Sequence, residues 1–156
     1  MQHIKKHKVL LEIVWWLATA LLCLLILFPI FQKTNRYPFT LINVIFVAVF
    51  VTLFRYTFLL RYTWIARLQY VKIALVFLSI PLIFNLVNNL NYFITHLDEF
   101  SSENYFGHLE SETRENIETY MRSEMVLFGV GSIITAIIFP FRMIISVWRL
   151  RNKGTV

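Results

Sequence analysis

Residues 71–94 read VKIALVFLSIPLIFNLVNNLNYFI, and the fold turns on whether this stretch crosses a bilayer. Its first half is hydrocarbon-soluble, whereas its second half carries Asn85, Asn88, Asn89 and Asn91. With about 100° of rotation per helical residue and Asn85 at zero, Asn88 falls at roughly −60°, Asn89 at roughly +40°, Tyr92 at roughly −20° and His96 at roughly +20°. These five polar side chains share one stripe about 100° wide, and only Asn91 lies off it. The rest of the circumference is apolar, so the stripe is compatible with a spanning helix. An amide in hydrocarbon without a partner costs several kcal/mol, and the stripe is therefore expected to face the bundle interior. Two readings stay open for it. Either it is interhelical glue, within one copy or between copies, or it lines a polar cavity open to the outside. Pro81 removes a backbone hydrogen bond and predicts a kink one turn before the stripe.

Three further apolar segments surround this one: VLLEIVWWLATALLCLLILFPIF (9–31), FTLINVIFVAVFVTLFRYTFLL (39–60) and EMVLFGVGSIITAIIFPFRMIISVW (124–148). Each exceeds the roughly 20 residues that a helix needs to cross the hydrocarbon core. The alternating strands of a barrel are missing, and backbone in lipid must satisfy its own hydrogen bonds, so helices are the remaining solution. The expected fold is all-α: a single four-helix membrane domain over residues 1–156. The first segment is too long for a signal-peptide core of about 7–15 residues, so it is read as an anchor.

Composition agrees. The chain is 58% hydrophobic, 17% aromatic and 15% charged, whereas soluble domains sit near half apolar and about a quarter charged. The net charge of +6 is not gathered into a stripe but flanks the apolar runs, which suits lipid headgroups rather than nucleic acid. Cys23 is the single cysteine, which excludes an intrachain disulfide and a cysteine-based metal site.

Placement of the basic residues sets an expected orientation. With the N-terminus inside, eleven Lys and Arg fall on the inner side and four on the outer side. That asymmetry places both termini in the cytoplasm of a plasma (inner) membrane. Trp15, Trp16, Trp64 and Trp148 all fall toward the inner ends, where indole rings settle at headgroup depth.

The connections differ in character. Residues 32–38 form a short turn. Residues 61–70 form a basic, aromatic inner loop in which Arg61, Trp64 and Arg67 are expected to meet anionic headgroups. The outer loop, 95–123, holds seven of the nine acidic residues. Its second half has a helical pattern, with Ser111 as a cap, Arg114–Glu118 and Glu118–Arg122 as i,i+4 pairs, and apolar residues at helical spacing from Ile117 to Phe128. The spacing predicts one helix from Ser111 to Trp148, about 55 Å long, whose first turns project beyond the bilayer. Residues 96–110 are then a loop or short helix across the outer mouth.

Few residues suggest chemistry. Glu12, Arg55 and Arg142 sit at inner depth and form a candidate ion pair, with snorkelling of the arginines to headgroups and a proton or substrate site as the alternatives. Gly129, Ser132 and Ala136 make a small-residue face in the fourth segment, with Gly131 and Thr135 beside it. That face allows close helix approach and hydrogen bonding across the gap. The repeats His96-Leu-Asp-Glu and His108-Leu-Glu-Ser-Glu lack the spacing that fixes metal ligands on one helix face. No phosphate-binding loop, dinucleotide fingerprint, HExxH, CxxC or Gly-framed nucleophile occurs. The expectation is therefore no catalytic residue, no metal and no cofactor. The expected role is an interaction or accessory subunit, with a small transporter or channel along the third helix as the rival. Expected partners are membrane lipids and either further copies of the chain or another membrane protein.

Overall fold

The computed structural model describes residues 2–33, 37–99, 106–107 and 109–152. They form four α-helices: α1 (Gln2–Lys33), α2 (Thr40–Phe58), α3 (Gln69–Glu99) and α4 (Ser111–Arg151). All four are long and apolar enough to cross a membrane. Two short 3-10 helices, Leu60–Tyr62 and Trp64–Arg67, join α2 to α3. Pro29, Pro81 and Pro140 lie inside helices without ending them.

Helix ends follow local chemistry. Pro38 and Phe39 form the turn that leads into α2, and the Thr40 hydroxyl donates to the Tyr37 carbonyl at 2.8 Å as α2 begins. At the other end of α2, the Leu59 N–H still reaches the Arg55 carbonyl at 2.7 Å. Thr63 then turns extended (φ −88°, ψ 162°), and its buried hydroxyl bonds the Leu60 carbonyl at 2.8 Å. One expected boundary and one expected cap differ. α3 runs on to Glu99 rather than stopping at residue 94, because no breaker follows Ile94 and Leu97 is still buried against the bundle. Helix α4 does begin at Ser111, but Glu110 occupies the cap position and no side chain closes the cap. There the Glu110 carbonyl accepts the first bond, from the Arg114 N–H at 2.9 Å.

Helix α4 is the centre of the bundle. Helices α2 and α3 make their main contacts with it, and α1 lies mostly against α2. Glycine permits this arrangement at two points. A Cβ on Gly131 would stand 2.9 Å from a ring carbon of Phe50 on α2, and one on Gly129 would stand 2.8 Å from a methyl of Leu90 on α3. The core between these helices includes Phe46, Leu86, Phe93, Met121, Met125 and Met143, all within 1% of complete burial.

Helix α1 is a peripheral element. It buries Thr19, Cys23, Leu27 and Ile30, while Leu17, Leu21, Leu24, Leu25 and Phe28 point outward, each more than half exposed. Similar apolar surface covers α3 and α4. In water a face of this size is a liability, whereas in a bilayer lipid tails cover it. Helices that follow one another in the chain run antiparallel, which puts the first turns of α1, the last turns of α4 and the α2–α3 connection at one end of the bundle (the termini end). The α1–α2 and α3–α4 connections occupy the far end.

Candidate functional site

Buried charged side chains and their partners gather in two layers, one at each end of the bundle, and the polar groups buried between them are hydroxyls such as Ser79, Ser132 and Thr135. At the termini end, Arg55 of α2 reaches Glu12 of α1, Nη1 to Oε2, at 2.8 Å. The same guanidinium lies 5.3 Å above the Trp15 ring and 5.6 Å above the Tyr56 ring. Arg142, the third member of the candidate ion pair, goes elsewhere: its Nε donates to the Thr57 carbonyl at 3.0 Å. That contact ties α4 to the last turn of α2, where carbonyls lack helical partners. Lys72 is fully buried, and its ammonium donates to the Ala66 carbonyl at 2.5 Å and the Ser146 hydroxyl at 2.9 Å. The α2–α3 connection is thereby pinned to α4. Arg61 and Trp64 point outward from this connection; the Arg67 side chain lies outside the described residues.

The far end carries a different set. Asn43, one turn into α2, donates its amide Nδ2–H to Oε1 of Glu124 on α4. Asn43 is completely buried and Glu124 is 6% exposed. Tyr37, in the α1–α2 connection, is also buried, with its hydroxyl near Asn43 and in the field of Glu124. Burial first, and the neighbouring carboxylate second, push the Tyr37 phenol above its ordinary range; the Asn43 side chain opposes this in part. Above this layer, Phe39 packs edge-on against Phe93 and His96, each at 5.1 Å between ring centroids. Tyr120 donates to the Ile26 carbonyl at 2.9 Å, which links α4 to α1. Phe106 is fully buried. His108 lies outside the described residues.

The asparagine stripe does not face the interior of this chain. Asn85 and Asn88 are exposed, Asn89 and His96 are half-buried, and Tyr92 is 57% exposed. Asn89 donates to Asn85 at 2.6 Å on its own helix rather than to a neighbour. The physical reason lies in competition between faces of α3. Leu86, Leu90, Phe93 and Leu97 are the residues buried against the bundle. They are centred roughly 110° round the helix from Asn85, so the amides are turned to the flank.

The small-residue face meets α2 and α3 as described above, with Ser132 and Ala136 fully buried. Its hydroxyls do not bond across the gap, however. Ser132 donates to the Gly129 carbonyl at 2.8 Å and Thr135 to the Gly131 carbonyl at 2.8 Å, both within α4. Close approach there is van der Waals packing, with the polar atoms satisfied at home.

Sequence reasoning passed over Glu124, Asn43, Tyr37 and Lys72. A signal existed for the first two. Glu124 lies at i+7 from Ile117 and i+3 from Met121, on the stripe that those residues define as core. Asn43 precedes Phe46 and Val47 by three and four residues, again on the buried face. For Lys72 and Tyr37 the decisive partners are a carbonyl in the α2–α3 connection and a side chain on another element, and neither leaves a periodic trace. Among the described residues, no group of three or more His, Cys, Asp or Glu is placed to hold a metal ion. No family model, curated protein or solved structure matches this chain.

Proposed function

We propose that the protein is a non-catalytic, multi-pass subunit of a plasma (inner) membrane, with both termini cytoplasmic, that works by associating with another helical membrane component. The observation that carries this reading is the amide patch of exposed Asn85 and Asn88 and half-buried Asn89 on a largely apolar outer surface. An amide facing lipid tails is costly, and a partner helix that supplies donors and acceptors offsets that cost by about 1–2 kcal/mol per hydrogen bond. Another copy of this chain meets the requirement directly, because asparagine both donates and accepts. The exposed Arg61 and Trp64 suit a second contact, with anionic headgroups at the inner surface, and the acidic residues of the α3–α4 connection suit a partner outside.

Native mass spectrometry of gently extracted protein tests the reading. The expected result is a dimer or a complex with a second membrane protein, dissociated by Asn85→Leu/Asn88→Leu/Asn89→Leu. A monomer carrying only lipid, with the triple variant unchanged, overturns it. Transport along α3 is a weaker reading, because the amides lie outside the chain's own bundle and a path there needs a second wall. Solute flux through reconstituted protein, lost in the same triple variant, would favour transport instead.

A further inference from the structure

The Glu124–Asn43 contact leaves a specific set of atoms without partners. Asn43 Nδ2 bonds Glu124 Oε1, whereas Glu124 Oε2 and Asn43 Oδ1 are both buried with no hydrogen bond. The Tyr37 hydroxyl is buried and unbonded beside them. The partner of Glu124 among the described residues is the Asn43 amide, and no basic group acts on its carboxyl. The titratable groups in the field of Glu124 are Tyr37 in the α1–α2 connection and Tyr120 on α4; Lys33 on α1, Tyr92 and His96 on α3, and Glu118 and Arg122 on α4 lie at the same end of the bundle. α2 contributes Asn43 and no titratable group here.

A buried carboxylate without a counter-charge is very costly, and such a group neutralises or takes up a cation. A hard metal ion calls for about six oxygens, and only three bare ones are present. One proton needs no added space and meets the geometry directly. A carboxylic acid and a carboxamide form a ring of two hydrogen bonds, N–H to C=O one way and O–H to C=O the other. The existing bond is the first half, and the two bare oxygens are the atoms that the second half joins.

We propose that Glu124 is a proton-binding site: its neutral carboxyl donates from Oε2 to Asn43 Oδ1 and closes a two-bond joint between α2 and α4. The Tyr37 hydroxyl then donates into the same ring. Loss of the proton to water leaves a carboxylate oxygen facing the amide oxygen, two acceptors with nothing between them, and the joint loosens. The joint therefore responds to proton activity on the side that the far end faces. Neither the ring nor this response depends on what binds the asparagine flank.

Three forms of the full chain in lipid nanodiscs test the proposal: wild type, Glu124→Gln and Glu124→Ala. Infrared spectra at neutral pH are expected to show a protonated-carboxyl C=O band in wild type that is missing in Glu124→Gln. Glutamine reproduces both hydrogen bonds of the neutral acid, so its thermal midpoint should equal that of wild type in mild acid. As pH rises below the tyrosine range, the wild-type midpoint should fall, because the folded state holds a proton that the unfolded chain has lost. The Glu124→Gln midpoint should stay level, and Glu124→Ala should be lower at every pH. No Glu124-dependent band at neutral pH overturns the proposal, as does a Gln variant as unstable as Ala. Exchange of sodium for a bulky organic cation at constant ionic strength should leave the wild-type midpoint unchanged; a drop would assign the site to a metal cation and also overturn it.

Discussion

Arg55 of α2 grips Glu12 of α1 at 2.8 Å with both side chains largely buried, 6% and 14% exposed. This is the ion pair that joins the most loosely packed helix to the rest of the bundle. Helix α1 meets α2 and α4 along one narrow face, and leucine packing there competes with leucine–lipid contacts of similar energy. The pair, together with the Tyr120–Ile26 bond at the far end, accordingly fixes the position of α1 more than its apolar face does.

Removing one partner should free α1. Glu12→Gln or Arg55→Ala leaves a buried group uncompensated, at a cost of about 3–5 kcal/mol. Cys23, the single thiol, sits on the buried face of α1 and is 9% exposed. The expected outcome is faster maleimide labelling of Cys23 in either single variant, with partial protection restored by the charge swap Glu12→Arg/Arg55→Glu. Unchanged labelling in the single variants would show that packing alone docks α1.

Close approach at the centre of α4 makes a second prediction. Gly131→Ala puts a methyl 2.9 Å from the Phe50 ring, against a phenylalanine already packed on Phe54 and Phe128. Overpacking of this kind costs about 1–3 kcal/mol. Thermal unfolding in detergent should register that loss, and Phe50→Leu in the same chain should recover much of it. A Gly131→Ala variant with wild-type stability and no response to Phe50→Leu would place the α2–α4 contact further apart than described.

The number of helices and their apolar character were legible because lipid imposes one rule on every spanning segment, and length plus hydropathy expresses it directly. The continuation of α4 to Ser111 was legible from Ile117, Met121 and Met125 at helical spacing. The direction of the asparagine stripe was not. Angular arithmetic places Asn85, Asn88 and Asn89 on one face, but it cannot say which face of α3 wins the core. Leu86, Leu90 and Phe93 form a stripe of equal regularity and are the residues buried, with Leu90 packed against Gly129 beside Phe46. Likewise Glu12 and Arg55 could be paired by depth, whereas Arg142 matched the same depth and found the Thr57 carbonyl, a partner that depth alone does not reveal.

Lys72 makes a third prediction. Its ammonium is fully buried and holds the Ala66 carbonyl and the Ser146 hydroxyl. Lys72→Leu leaves that carbonyl unsatisfied, a penalty of about 1–3 kcal/mol, and should loosen the α2–α3 connection. Limited proteolysis should cut between residues 59 and 68 faster in the variant than in wild type. Amine acylation gives a direct check on the native chain: Lys72 should stay unmodified while folded and react once denatured. Rapid acylation of Lys72 in the folded protein would contradict the pinned arrangement.

Tyr37 gives the alkaline prediction, with its sign fixed by linkage. Burial first, and then Glu124 once it has lost its proton, raise this phenol above its ordinary value of 10.0. The folded state therefore keeps the phenolic proton at a pH where the unfolded chain has released it. A group raised in this way contributes stability that is fully present below pH 10.0 and is lost as pH rises from there toward the folded-state value. Replacement by phenylalanine removes the ionisation from both states, so Tyr37→Phe should show a shallower fall in thermal midpoint above that pH than wild type. Spectrophotometric titration supplies the second measurement: the difference between wild type and Tyr37→Phe should lack one tyrosinate signal near the ordinary value and gain it only on unfolding. A tyrosinate assigned to Tyr37 at ordinary pH in the folded protein would mean that water reaches the Asn43–Glu124 layer.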